Sequence, residues 1–146
     1  MSPLAWSLQA LLHPTALAVA LLVKWWTIWF VFGRNFSRTS AMCLSALGAS
    51  ALASCWAISS RALGTVTEGD PAADLTAASW WTGFAVAVLA TLALETAILR
   101  WWMARLVRPD WTWRNYDRLG YGFAHLITVA FAVLFALWQA GAFRVS

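Results

Sequence analysis

The chain has 146 residues, 62% of them hydrophobic and only 11% charged, with a net charge of +4 and a mean hydropathy of +0.67. A soluble domain of this length needs more polar surface, and apolar runs near the length of a bilayer span mark a single integral membrane domain over residues 1–146. Nucleic-acid binding is excluded as a reading, because no basic groove or motif accompanies the charge and the arginines flank the apolar runs.

The first element is "SPLAWSLQALLHP". Ser2 suits an N-cap, Pro3 suits the first helical position, and Leu4, Leu8, Leu11 and Leu12 fall on one face. Pro14 disfavours helix at His13. The pattern predicts a short amphipathic interfacial helix, then a bend into the first span; one long tilted helix is the alternative. No Lys or Arg precedes the first apolar run, so no cleaved signal peptide is expected.

Four spans follow, at about 15–32, 40–58, 80–99 and 119–142, which predicts an all-α membrane protein built as a four-helix bundle. Twelve tryptophans sit mainly at the ends of these runs, where an interfacial aromatic belt belongs. The first span, "LLVKWWTIWF", carries the only lysine, Lys24. The second contains "SALGASALAS", whose small residues let helices approach closely. Ser45, Gly48, Ala49, Ser50 and Ser54 are therefore expected as packing positions, at the bundle centre or against a partner subunit. Cys43 and Cys55 lie on the same helix, about 18 Å apart along its axis, and cannot bond each other. Four-span thiol–disulfide membrane enzymes need redox cysteine pairs, which are lacking here, so both cysteines are expected to be packing residues.

Between the second and third spans, Asp70 and Pro71 suit the start of a helix leading into span three. That span holds Glu95 in "LALETAILRWW". The segment after it, with Trp101, Trp102, Arg105, Arg108, Trp111 and Trp113, is expected to lie along the membrane surface, aromatic side down, or to form a partner-docking surface. Seven arginines in the first and third loops stand against Arg61 in the second, and Arg144 is a single contrary vote. By the positive-inside rule both termini lie outside, which places the chain in a bacterial inner membrane with periplasmic termini. The abundance of alanine, and of arginine over lysine, fits a bacterial gene of high GC content.

The intramembrane polar residues are Lys24, Glu95, Tyr121 and His125. Counted from the inner ends of their spans, Lys24, Glu95 and His125 lie roughly 12, 6 and 9 Å deep, so three helices contribute ionisable groups to one half of the bilayer. A Lys24–Glu95 clamp, completed by His125 or Tyr121, is the leading expectation; independent snorkelling and a proton or ion relay are the alternatives. His13 and His125 fall on opposite sides of the membrane, so a haem held by both is not expected. No catalytic constellation, metal-ligand spacing or cofactor motif is present, and no enzyme activity is expected.

The four-span format is similar to that of small multidrug resistance transporters. Those carry their membrane carboxylate in the first helix, whereas here that helix has Lys24 and the carboxylate is Glu95 in the third, so their function does not transfer. The function expected is that of a small non-catalytic subunit or assembly factor of a larger inner-membrane complex, partnered by lipid and by other membrane subunits. A small homo-oligomeric transporter or channel that uses the Glu/Lys/His layer is the second reading, and a pigment- or haem-carrying subunit with a single His ligand is the third.

Overall fold

The computed structural model describes residues 3–60, 78–106 and 109–139, which fold into five α-helices: α1 (Pro3–Leu11), α2 (Pro14–Phe32), α3 (Phe36–Ser59), α4 (Ala78–Leu106) and α5 (Asn115–Gln139). No strand occurs among the described residues, and four of the helices are long and apolar enough to cross a membrane. The chain is an all-α, four-span membrane protein. The helix entry at Asp70 and Pro71, the acidic loop with Arg61, and Arg108 and Arg144 lie outside the described residues.

Local chemistry sets the breaks. His13 is extended (φ −61°, ψ 134°), its ring accepts from the Thr15 N–H, and Pro14 opens α2 without a helical N–H to satisfy. Gly33 ends α2 at φ +111°, a conformation that side chains other than hydrogen resist. Two residues later the Asn35 side chain accepts from Arg38 N–H and caps α3.

Each span buries one stripe at helical spacing. In α2 it is Ala16, Ala20, Lys24 and Ile28; in α3, Thr39, Cys43, Ala46, Ser50 and Ser54. In α4 it is Ala87, Thr91, Glu95, Leu99 and Met103, and α5 presents Tyr121, Ala124, His125, Thr128 and Val129. Small residues on α2 and α3 bring those helices close, and dispersion across the contact replaces the hydrophobic drive that lipid removes.

The helices form a ring in which α2 adjoins both α3 and α5, and α3 adjoins α4, while α4 and α5 touch only lightly. The first helix fills that gap. It packs against α4, α5 and α3, and buries Ala5, Ser7, Leu8 and Ala10. Its Trp6 and Leu11 join Val129, Val133 and Leu137 of α5 and Phe84 and Val88 of α4 in an apolar cluster. The short helix expected ahead of the first span is present, and it also packs as a wedge against α3, α4 and α5. The residues between its leucines are small enough (Ala5, Ser7, Ala10) to be covered on a second side.

The opposite end differs from expectation. The fourth helix continues past residue 99 to Leu106 before the turn at Pro109, and α5 starts at Asn115 rather than near 119. Asp117, 5% exposed, reaches back to accept from Arg114 N–H, which is the reciprocal half of a capping box. Exposed Arg114 donates to the Tyr116 hydroxyl (2.6 Å), and that bond raises its already basic pKa.

Candidate functional site

Extending α4 and α5 changes the depths of the polar residues. Glu95 is now eleven residues from the end of α4, roughly 16 Å, and His125 is ten residues into α5, roughly 15 Å. Lys24, eight residues from the end of α2, is roughly 12 Å from it. All three sit well inside the bundle at similar depth, and all are 1–2% exposed.

They form one cluster. Lys24 Nζ donates to Glu95 Oε1 (2.7 Å) and Oε2 (2.6 Å), and lies 3.0 Å from His125 Nδ1. The Tyr121 hydroxyl donates to Glu95 Oε2 (2.9 Å). On its other side His125 Nε2 is 3.1 Å from Val88 O and 3.2 Å from Thr91 Oγ1. Helices α2, α4 and α5 are tied together at one point. Lys24 does not snorkel to the interface; its ammonium is held in place by a carboxylate, as a charge this deep requires.

The partners fix one ring nitrogen of His125 and leave the other between two. Val88 O only accepts, so Nε2 carries hydrogen. Nδ1 faces the Lys24 ammonium, a donor, at 3.0 Å and Glu95 Oε2, an acceptor, at 3.1 Å. A bare Nδ1 accepts from Lys24, and a protonated one donates to Glu95.

A cavity of about 30 Å³ adjoins the cluster, enough for a water molecule. It is lined by Lys24, Glu95 and His125, by Leu11 and Leu12 at the end of α1, and by Ser50, Ser54, Thr91 and Thr128 among mainly apolar side chains. The Ser54 hydroxyl bonds Ser50 O and the Thr128 hydroxyl bonds His125 O. Ser50 Oγ, on a residue 7% exposed, is the one buried side-chain oxygen or nitrogen among the described residues without a hydrogen-bond partner.

The other candidate residues fall elsewhere. Ser45 accepts from Trp102 Nε1 (2.8 Å) and so ties α3 to α4, while Ser40 does the same for α2 by accepting from Trp25 Nε1 (3.0 Å). Gly48 and Ala49 are half-buried, and a Cβ on Gly48 would meet nothing within 4 Å. Trp101, Trp102 and Arg105 belong to α4, where the Arg105 guanidinium stands 4.7 Å over the Trp101 ring. Trp111 and Trp113 lie between α4 and α5 in the chain. They close the end of the bundle, against Phe32 (5.6 and 5.3 Å) and, for Trp113, Tyr121 (6.1 Å). His13 meets Phe135 at a tilt, ring centroids 5.0 Å apart, ten residues along α5 from His125. Cys43 is buried and Cys55 exposed, both free.

Thr91, Val88 O, Ser40 and Asp117 were not foreseen. Thr91 was within reach of sequence reasoning, since it stands four residues before Glu95 on one helix face. Fold and site together define a small polytopic helical membrane protein with a self-neutralising charge cluster buried between its spans. No protein-family model matches the chain, and neither does any curated protein or solved structure.

Proposed function

We propose that this chain is a small non-catalytic subunit or assembly factor of a larger bacterial inner-membrane complex, with both termini on the periplasmic side. One observation carries the reading: the charges inside the membrane are consumed by one another. Lys24 donates to Glu95 and His125, Glu95 also accepts from Tyr121, and His125 uses its second nitrogen on α4. A latch of this kind fixes the arrangement of three helices and leaves the outward faces to partners and lipid. Those faces include a groove of about 320 Å³ between α2 and α3, lined by Leu21, Leu22, Trp25, Trp26 and Leu44, and the open space at Gly48. The orientation is supported by Arg34, Arg38, Arg105, Arg114 and Arg118, which all lie at the end away from α1.

The test is the composition of the protein purified from its native membrane in a mild detergent. Stoichiometric additional chains are expected; a chain that emerges alone or as a homo-oligomer overturns the reading. A second reading, a small transporter or channel, is favoured by the cavity that reaches the cluster. In that case E95Q abolishes transport in vesicles while the chain stays folded. A haem or pigment on His125 would have to displace contacts that both its nitrogens already make.

A further inference from the structure

We propose that the Lys24–Glu95–His125 cluster is a proton-binding site, filled from water in the adjoining cavity, and that Ser50 receives Lys24 when the proton arrives. Two independent features of the geometry lead there. The first is the place of His125 Nδ1, 3.0 Å from the Lys24 ammonium and 3.1 Å from Glu95 Oε2, where a bare nitrogen accepts from the lysine and faces the carboxylate as a second acceptor. A proton placed on Nδ1 turns that contact into a charge-assisted hydrogen bond to Oε2. The second is Ser50 Oγ, buried without a partner on the wall of the same cavity that Lys24 lines. Buried hydroxyls without a partner are uncommon, and each asks for a reason.

The step balances. A hydronium ion in the cavity gives its proton to His125 Nδ1 and is left as water. Nδ1 can then no longer accept from the Lys24 ammonium 3.0 Å away, so that hydrogen bond breaks. Lys24 keeps Glu95 and turns its freed N–H into the cavity, where Ser50 Oγ accepts it, directly or through the water. His125 Nε2–H stays on Val88 O and Thr91 throughout. The cluster passes from neutral to a single positive charge.

The groups that face His125 are few. Lys24 comes from α2, Glu95 from α4 and Tyr121 from its own helix, with the Tyr121 hydroxyl on the carboxylate. Helix α3 contributes Cys43, whose thiol is directed at Leu21 O (3.8 Å). Helix α1 brings only its last residue, Leu11, to the cavity, followed by Leu12 of the turn. The proposal does not depend on partners, and the chain purified alone can be tested.

The experiment is ¹⁵N NMR of histidine-labelled full-length protein in lipid nanodiscs, followed from about pH 5 to about pH 9, the range in which a histidine switch operates. H13N removes the other histidine signal and retains a capping side chain at that position. The expected result is a single step in which Nδ1 of His125 changes from acceptor to donor while Nε2 remains protonated. In S50A the protonated state loses the acceptor for Lys24, and the step moves to lower pH by about one unit, the worth of one hydrogen bond to a charged group. Absence of any step in the folded protein overturns the proposal. A step that S50A leaves in place overturns it too, because Lys24 then goes elsewhere.

Discussion

Lys24 on α2 and Glu95 on α4 sit 2.6 Å apart at their closest, across 71 positions of sequence, with both side chains almost wholly buried. The pair is the point on which the bundle turns, and it sets the first prediction. K24M or E95L alone leaves an uncompensated charge inside the membrane and should lower stability by about 3–5 kcal/mol. The double variant K24M/E95L, which replaces both partners with apolar groups, should recover most of that loss. Unfolding in mixed micelles measures it. A double variant no better than the singles would mean that the two residues act separately.

The tryptophan–serine pairs make a second prediction. Trp102 Nε1 donates to Ser45 Oγ, and S45A or W102F should each cost about 1 kcal/mol from the lost bond, with further loss of packing for the tryptophan. Their effects should be less than additive, since either change alone removes the same contact. Strict additivity in the double-mutant cycle counts against the bond.

Helix α1 offers a test with a sign. Ala10 is 6% exposed, so A10L should overpack the wedge between α4 and α5 and destabilise the protein by about 1–3 kcal/mol. If α1 merely lay in the headgroup layer, the larger apolar side chain would strengthen its anchoring. A raised melting temperature for A10L therefore rejects the wedge.

Gly48 separates the chain's own stability from its assembly. No neighbour stands within 4 Å of where its Cβ would be. In the purified chain G48A should be neutral or stabilising by up to about 1 kcal/mol, because glycine is a poor helix former. G48L should leave the fold intact and reduce the yield of co-purifying chains. Unchanged co-purification removes this face from the proposed partner surface.

Much of the architecture was legible in the sequence because it depends on local chemistry. Span-length apolar runs, the break at Pro14 and the positions of Lys24, Glu95 and His125 within their spans need only composition and the 3.6-residue period. The ends of α4 and α5 are not legible in the same way, because "RWWMARLVRPDWTWRNYDR" is polar and aromatic enough to pass for a surface loop. Its first turns stay helical through contacts from outside the segment: Met103 and Leu106 pack on the core beside Ile28 and Tyr121, and Trp102 bonds Ser45.

What the sequence determined by itself is that this chain is four membrane-spanning helices carrying a few ionisable groups in their interiors. Period and hydropathy are properties of each segment alone, and they survive whatever the segment packs against. Only the tertiary structure decided that α1 lies between α4 and α5, that Lys24 meets Glu95 and His125, and that the Ser50 hydroxyl is buried without a hydrogen-bond partner. Those outcomes depend on which helices are neighbours and at what rotation and depth. In a bilayer that choice is made by close packing and by the cost of leaving a buried charge unpaired, neither of which can be evaluated one segment at a time.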